Sequence, residues 1–152
     1  QGPVAAQYLA DFGAEVIKVE NPKGGDQGRG VRSMKALPMG DWNQYFLVIN
    51  RNKKSIAIDL KKPEGQEILY RMVEKSDVFL SNMSPHLLNK MNLSYEKLVE
   101  INPKLIYATN TGYGRFGDVS KPSFDMTVPG CLSLWCPIVF GCALFAVLPC
   151  RE

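Results

Sequence analysis

Val4-Ala5-Ala6-Gln7-Tyr8-Leu9-Ala10-Asp11-Phe12-Gly13-Ala14-Glu15-Val16-Ile17-Lys18-Val19-Glu20 contains a change of period. Its first part places Val4, Ala5, Tyr8, Leu9 and Phe12 at helical spacing, and Gly13 follows as a helix C-cap signal. From Glu15 onward polar and apolar residues alternate and β-branched residues are enriched, which predicts a strand.

Working outward, Asn21 to Asp41 is loop-like and rich in Gly and Pro, so it is expected at the surface. Tyr45–Ile49 and Ser55–Leu60 are expected as two strand-like pieces around the polar Asn50-Arg51-Asn52-Lys53-Lys54. Pro63 suits the first turn of a helix running to about Lys75, with Ile68, Leu69, Met72 and Val73 on one face. Asp77–Ser81 is a short apolar strand, followed by helices over Pro85–Met91 and Ser94–Ile101. Leu105–Thr109 is a further buried strand, ended by the Gly112-Tyr113-Gly114 turn. This alternation predicts an α/β domain with a largely parallel sheet, whose ligands sit beyond the carboxyl ends of the strands. The residues after Glu20, Leu60, Leu80 and Thr109 are therefore the first places to look for a site.

The bulk properties exclude several classes. The chain has 152 residues, enough for one domain, with 45% hydrophobic and 22% charged residues, a globular balance. A net charge of +3 without a long basic run gives no nucleic-acid footprint. Nothing at the start resembles a signal peptide, and Gln1-Gly2-Pro3 fits a cut inside a longer domain. All four cysteines (Cys131, Cys136, Cys142, Cys150) fall at the end, with gaps unlike zinc-site spacing, so no metal site is expected. Thr127–Cys150 carries no charge and has the length of a membrane span; a buried core helix, or a tail foreign to the fold, are the alternatives.

The motifs are individually weak. Gly24-Gly25-Asp26-Gln27-Gly28-Arg29-Gly30 is neither a P-loop nor a dinucleotide fingerprint, and by itself is a surface turn. Arg51, Lys53, Lys54, Lys61 and Lys62 form a basic cluster that is either a solvated face or an electrostatic guide for a phosphorylated ligand. His86 is the only histidine, so no Ser-His-Asp or Cys-His arrangement is built on it.

One resemblance takes the argument further. Gly2-Pro3 with Leu9 to Glu20, then Gly25-Asp26, Tyr45-Phe46 and Asn50 to Ile56, are similar to family III coenzyme A (CoA) transferases. Asp59-Leu60-Lys61, Pro63-Glu64-Gly65, Ser76-Asp77-Val78, Ile101-Asn102-Pro103, Leu105-Ile106-Tyr107, Gly112-Tyr113-Gly114 and Phe124-Asp125 continue the likeness in order.

The resemblance implies part of a Rossmann-like parallel-sheet domain, incomplete at both ends and lacking the strand that precedes Gln1 in the family. It divides the chain into residues 1–128, the nucleotide-binding part, and 129–152, a divergent Cys-rich tail whose composition fits a shifted reading frame. By position, Ile58, Asp59, Leu60, Lys61, Asn82, Met83, Ser84, Lys90, Ser123, Phe124 and Asp125 would line CoA, with Lys61 and Lys90 as phosphate partners. Asn21 stands where several members carry a phosphate-binding Arg, and Ser84 and His86 interrupt the common Arg-Pro-Gly loop.

In the family an Asp attacks the acyl-CoA thioester and forms a mixed anhydride, CoA thiolate returns, and an acceptor carboxylic acid finally takes the CoA. That Asp is expected beyond this chain, so no residue here is assigned as catalytic. Phe124 replaces the His base of the related racemases, which favours transferase over racemase. Acyl-CoA and carboxylic acids are thus the implied substrates, with no permanently bound cofactor, in a cytoplasmic, interlocked homodimer. The alternatives are a non-catalytic CoA-binding or dimerising module, and an α/β protein anchored in a membrane by its tail.

Overall fold

The computed structural model describes residues 2–30, 43–111 and 144–148. In chain order they form α1 (Gly2–Asp11), β1 (Glu15–Glu20), a 3-10 turn (Gln27–Gly30), α2 (Gln44–Asn50) and β2 (Lys53–Ala57). Then come α3 (Pro63–Val73), β3 (Val78–Ser81), α4 (Pro85–Lys90), α5 (Tyr95–Ile101), β4 (Ile106–Thr109) and β5 (Leu144–Leu148).

The strands make one sheet in the order β2-β1-β5-β3-β4. β1 with β2 and β3 with β4 are parallel pairs, and β5 runs antiparallel to both β1 and β3. Four strands therefore share one direction, as an α/β reading requires, and a fifth opposes them at the centre. Of the apolar tail, for which a membrane span, a buried helix and a segment foreign to the fold are the expectations, the described part Leu144–Leu148 is neither span nor helix but a strand paired on both sides. The four cysteines lie outside the described residues.

The helix-to-strand switch is closed as the sequence predicts. Gly13, at φ 98°, lets its own N–H reach the Ala10 carbonyl at 3.1 Å and the Ala14 N–H reach that of Leu9 at 3.0 Å. This is the paired capping pattern that a left-handed glycine makes possible. The packed face of α1 differs from its large apolar residues, however. Ala6, Gln7 and Ala10 are buried, whereas Phe12 is 88% and Tyr8 60% exposed. Small side chains bring the helix close to the sheet, where Ala6 and Ala10 meet Val16, Leu80, Phe145 and Val147.

Tyr45–Ile49, expected as a strand, lies in α2. The Asn43 side chain caps it, accepting from the Phe46 N–H at 3.0 Å. Helical spacing then sets Phe46 and Asn50 on one face over Lys18, which lies 4.6 Å from the Phe46 ring centre and donates to Asn50 Oδ1 at 2.9 Å. Tertiary contacts thus override the β-branched preference of Val48 and Ile49.

α3 begins at Pro63 and buries Leu69 and Val73, and α4 and α5 are capped by Ser84 and Ser94 accepting from Leu87 and Lys97 N–H groups. These helices cover the other face of the sheet around Val19, Ile58, Phe79, Leu88, Leu93 and Leu98. Phe79 stacks on Tyr107 at 5.1 Å between ring centres. With helices on both faces, the inner strands β1, β3 and β5 are largely covered, while the edge strands β2 and β4 keep exposed positions such as Lys54, Ser55 and Ile106.

Candidate functional site

A cleft of about 190 Å³ opens at the carboxyl ends of β1, β2 and β3. One wall comes from Val19, Glu20 and Asn21 at the end of β1 and from Ile58, Asp59, Leu60 and Lys61 after β2. Met83 after β3 and Met91 after α4 add apolar lining.

The Ile58–Lys62 turn is fixed from inside. Ile58 N–H extends the β1–β2 ladder to Glu20 O at 2.9 Å, Asp59 Oδ1 accepts from Lys61 N–H at 3.1 Å, and the Asp59 carbonyl accepts from Lys62 N–H at 3.1 Å. Gln66 Nε2 donates to the Leu60 carbonyl at 3.0 Å from the first turn of α3. The turn's backbone is thus held while Lys61 stays exposed, with no ion pair among the described residues.

Of the residues singled out from the sequence, the fold brings Ile58, Asp59, Leu60, Lys61 and Met83 together in this cleft. Asn82 follows β3 beside α1, where Gly2 lies so near that a Cβ there would be 3.2 Å from Asn82 Cβ. Ser84 caps α4, its Oγ accepting from Leu87 N–H at 3.3 Å, and Lys90 is exposed in the last turn of the same helix. Neither Ser84 nor Lys90 lines the cleft. Ser123, Phe124 and Asp125 lie outside the described residues.

The sequence reading missed the electrostatic floor of the cleft. Lys18 is 2% exposed, and its ammonium pairs with Asp26, with Glu20 lying 3.8 Å away. Glu20 accepts from Arg29 Nε at 2.9 Å and Nη2 at 3.0 Å, and from the Asp26 N–H at 3.1 Å. Burial pushes the Glu20 carboxyl up, but the Arg29 hydrogen bonds and the Lys18 and Arg29 charges outweigh it and hold the group below its ordinary value. The Arg29 guanidinium also lies 4.0 Å from the Phe46 ring centre.

These contacts explain the Gly-rich segment. Gly28 N–H donates to Asp26 Oδ1 at 2.6 Å and Gly25 N–H to Asn21 O at 3.0 Å, so these amides already serve protein acceptors. Gly25, at φ 64°, comes so close that a Cβ would sit 2.9 Å from Glu20 Oε2. The loop is a clamped rim beside the cleft.

The basic cluster divides in the same way. Arg51 is tied to Asp11 at 2.7 Å, Lys54 to Glu15 at 3.0 Å, and Lys53 turns inward onto the Pro3 and Ile49 carbonyls at 2.6 and 2.7 Å. Of the five cations, only Lys61 lines the cleft.

The family model of CoA-transferase family III matches residues 1–136. This chain belongs to CoA-transferase family III. Human succinyl-CoA:glutarate CoA-transferase is 44% identical over 120 residues, covering 79% of this chain and 27% of the relative. Formyl-CoA:oxalate CoA-transferase of Bradyrhizobium diazoefficiens is 44% identical over 113 residues, covering 74% of this chain and 26% of the relative. The chain thus spans about a quarter of the length of these curated relatives.

Among solved structures, Rv3272 from M. tuberculosis superposes with a TM-score of 0.74 at 38% identity, over 85% of this chain and 34% of that one. A CAIB/BAIF family protein from Brucella suis gives 0.73 at 37% identity over the same shares. The α/β fold is therefore shared with these structures, and the residues that line the cleft all fall within the stretch that the family model matches.

Proposed function

We propose that this chain supplies the CoA-recognition part of an enzyme that moves CoA from an acyl-CoA donor to a carboxylic acid acceptor. The observation that carries the reading is the convergence of Ile58, Asp59, Leu60, Lys61 and Met83 on one cleft at the strand ends of a family III domain. The cleft has the mixed character such a ligand calls for. Ile58, Leu60, Met83 and Met91 offer apolar surface, and Lys61 offers an exposed ammonium at the rim for a phosphate. Two named relatives act on pairs of an acyl-CoA and a dicarboxylic acid, which is the substrate class proposed here.

In this reading an aspartate carboxylate attacks the thioester carbonyl, the C–S bond breaks, and CoA leaves as its thiolate. The thiolate then attacks the aspartyl carbonyl of the anhydride, which releases the donor acid as its carboxylate and leaves an aspartyl-CoA thioester. The acceptor carboxylate attacks that thioester and expels the thiolate, which adds to the acceptor carbonyl of the new anhydride and frees the aspartate. Splitting one acyl transfer into such steps is what a carboxylate nucleophile achieves. None of the residues described here takes the nucleophile's role; they hold the nucleotide and pantetheine. Lys90 serves as a second phosphate partner, and the parent enzyme works as an interlocked homodimer in the cytoplasm. Among the described residues no helix is long and apolar enough to cross a membrane, and Leu144–Leu148 is engaged in the sheet.

Titration calorimetry of the full chain with free CoA tests the reading. Saturable binding is expected, weakened about tenfold by Lys61→Ala, the scale of one charge-assisted contact. Lys62→Ala, outside the cleft, should leave the affinity unchanged. Absence of saturable heat with CoA would remove the proposal.

A further inference from the structure

Three carboxylates line the cleft, Glu20, Asp26 and Asp59, and they are not equivalent. Glu20 is neutralised by Arg29, which donates to it at 2.9 and 3.0 Å, and Asp26 by the Lys18 ammonium. Asp59 belongs to no ion pair among the described residues. Its Oδ1 accepts from Lys61 N–H at 3.1 Å, and its main-chain carbonyl accepts from Lys62 N–H at 3.1 Å. Its Oδ2 accepts from no described residue.

A carboxylate without a cation is out of place in a cleft that takes a polyphosphate, because its charge repels the ligand's phosphates. Such a group favours the ligand only by accepting a hydrogen bond from it, and a charged acceptor makes one of the stronger hydrogen bonds. Near its phosphates CoA offers two kinds of donor, the adenine 6-amine and the ribose 2′-hydroxyl. The neighbours of Asp59 select between them. Ile58 and Leu60 on either side of it are buried, and Met83 and Met91 extend the apolar lining. A thioether gains from contact with an aromatic ring and has no comparable gain from a ribose, so this ground suits the base. The phosphates then fall toward Lys61, the exposed cation of the cleft.

We propose that Asp59 is the specificity residue of the cleft: its Oδ2 accepts from the 6-amine of the adenine, and its charge keeps the phosphates off that wall and directs them to Lys61. The assignment rests on the CoA reading above and adds to it the direction in which the nucleotide lies.

Titration calorimetry of the full chain tests it, with CoA and with the CoA analogue whose purine lacks the 6-amino group, on the unmodified chain and on Asp59→Asn. Asparagine keeps an oxygen for Lys61 N–H and puts an NH2 donor where Oδ2 stood, so the turn survives and the acceptor is lost. The unmodified chain should bind the analogue about tenfold more weakly than CoA, because a site built to accept a donor rejects the ligand that lacks it. Asp59→Asn should raise the CoA Kd about tenfold and no longer distinguish the two ligands.

The opposite sign is the clearest refutation. Were Asp59 only a turn former whose charge opposes the phosphates, Asp59→Asn would bind CoA as well as the unmodified chain or more tightly, and the proposal would fall. Equal affinity of the unmodified chain for both ligands also overturns it, and that comparison needs no variant. A loss on Asp59→Asn shared by both ligands would then place the donor on the ribose. Absence of saturable heat with CoA itself is a different failure: it removes the functional reading on which the assignment depends.

Discussion

A Cβ placed on Gly65 would stand 2.2 Å from the carbonyl oxygen of Asp59 and 2.9 Å from the Ile58 side chain. The first turn of α3 therefore lies directly on the turn that forms one wall of the cleft, and only a residue without a side chain permits it. Gly65→Ala must push the two backbones apart. Overpacking costs about 1–3 kcal/mol, and contact with backbone rather than a movable side chain places this substitution at the upper end. The expected result is a lower urea midpoint together with weaker CoA binding, because Asp59 and Lys61 move with the turn. An unchanged calorimetric affinity would show that the turn adjusts without disturbing the cleft.

The Lys18–Asp26 pair is buried on both sides, which makes its halves unequal to its whole. Asp26→Ala leaves the Lys18 ammonium with Asn50 Oδ1 at 2.9 Å and Glu20 at 3.8 Å, and also removes the acceptor of Gly28 N–H. Removing one partner of a buried pair costs about 3–5 kcal/mol, whereas replacing both by apolar residues is often neutral. Asp26→Ala should accordingly destabilise by about 3 kcal/mol, and Lys18→Met with Asp26→Leu should recover a large share of it. Denaturant unfolding of the two single variants and the double variant checks the coupling. Additive losses would mean that the pair does not act as a unit.

Asn43 joins two segments by using both ends of its amide. Its oxygen caps α2 at Phe46 N–H, and its Nδ2 donates to the Gly28 and Arg29 carbonyls at 2.9 and 3.0 Å. Asn43→Asp keeps the cap and loses the donor; Asn43→Ala loses both. Loss of an N-cap costs about 1 kcal/mol, so the alanine variant should be the less stable of the two. Equal melting temperatures for the two variants would assign the whole effect to the loop contacts.

What the sequence reveals depends on how local the cause is. α3, α4 and α5 are legible because Pro63, Ser84 and Ser94 mark their starts beside periodic apolar residues. α2 is not, because its cap is one Asn and its packing partner, Lys18, lies far away in sequence. Lys18 and Glu20 occupy the polar positions of an alternating strand, a pattern that signals a solvated face; helices on both sides of the sheet bury them instead. Leu144–Leu148 carries no alternation because both its faces are covered, and an apolar run buried on two sides gives the same pattern for strand and helix. The strand-end rule points to the ground after Leu60, and family resemblance extends the site back to Ile58, since Asp-Leu-Lys alone carries no site signal. The pairing of Lys18 with Asp26 had one faint sign, an aspartate inside the glycine-rich turn that follows the strand.

Lys53 gives the chain a pH dependence of determinate sign. Its ammonium lies beneath α1 and α2, donating to the Pro3 and Ile49 carbonyls and standing 4.5 Å from the Phe145 ring centre. Burial, and then the repulsion of Lys18, push its pKa down to about 7 from an ordinary 10.5. Between those values the unfolded chain holds a proton that the folded chain has released, so stability rises with pH across that window. The urea midpoint should therefore increase from pH 7 toward pH 10. Lys53→Met removes the titrating group while keeping most of the side chain's length, and should flatten that rise. The difference between the two profiles isolates Lys53 from every other group in the chain. Parallel profiles would mean that Lys53 stays protonated in the folded chain, held by its carbonyl acceptors.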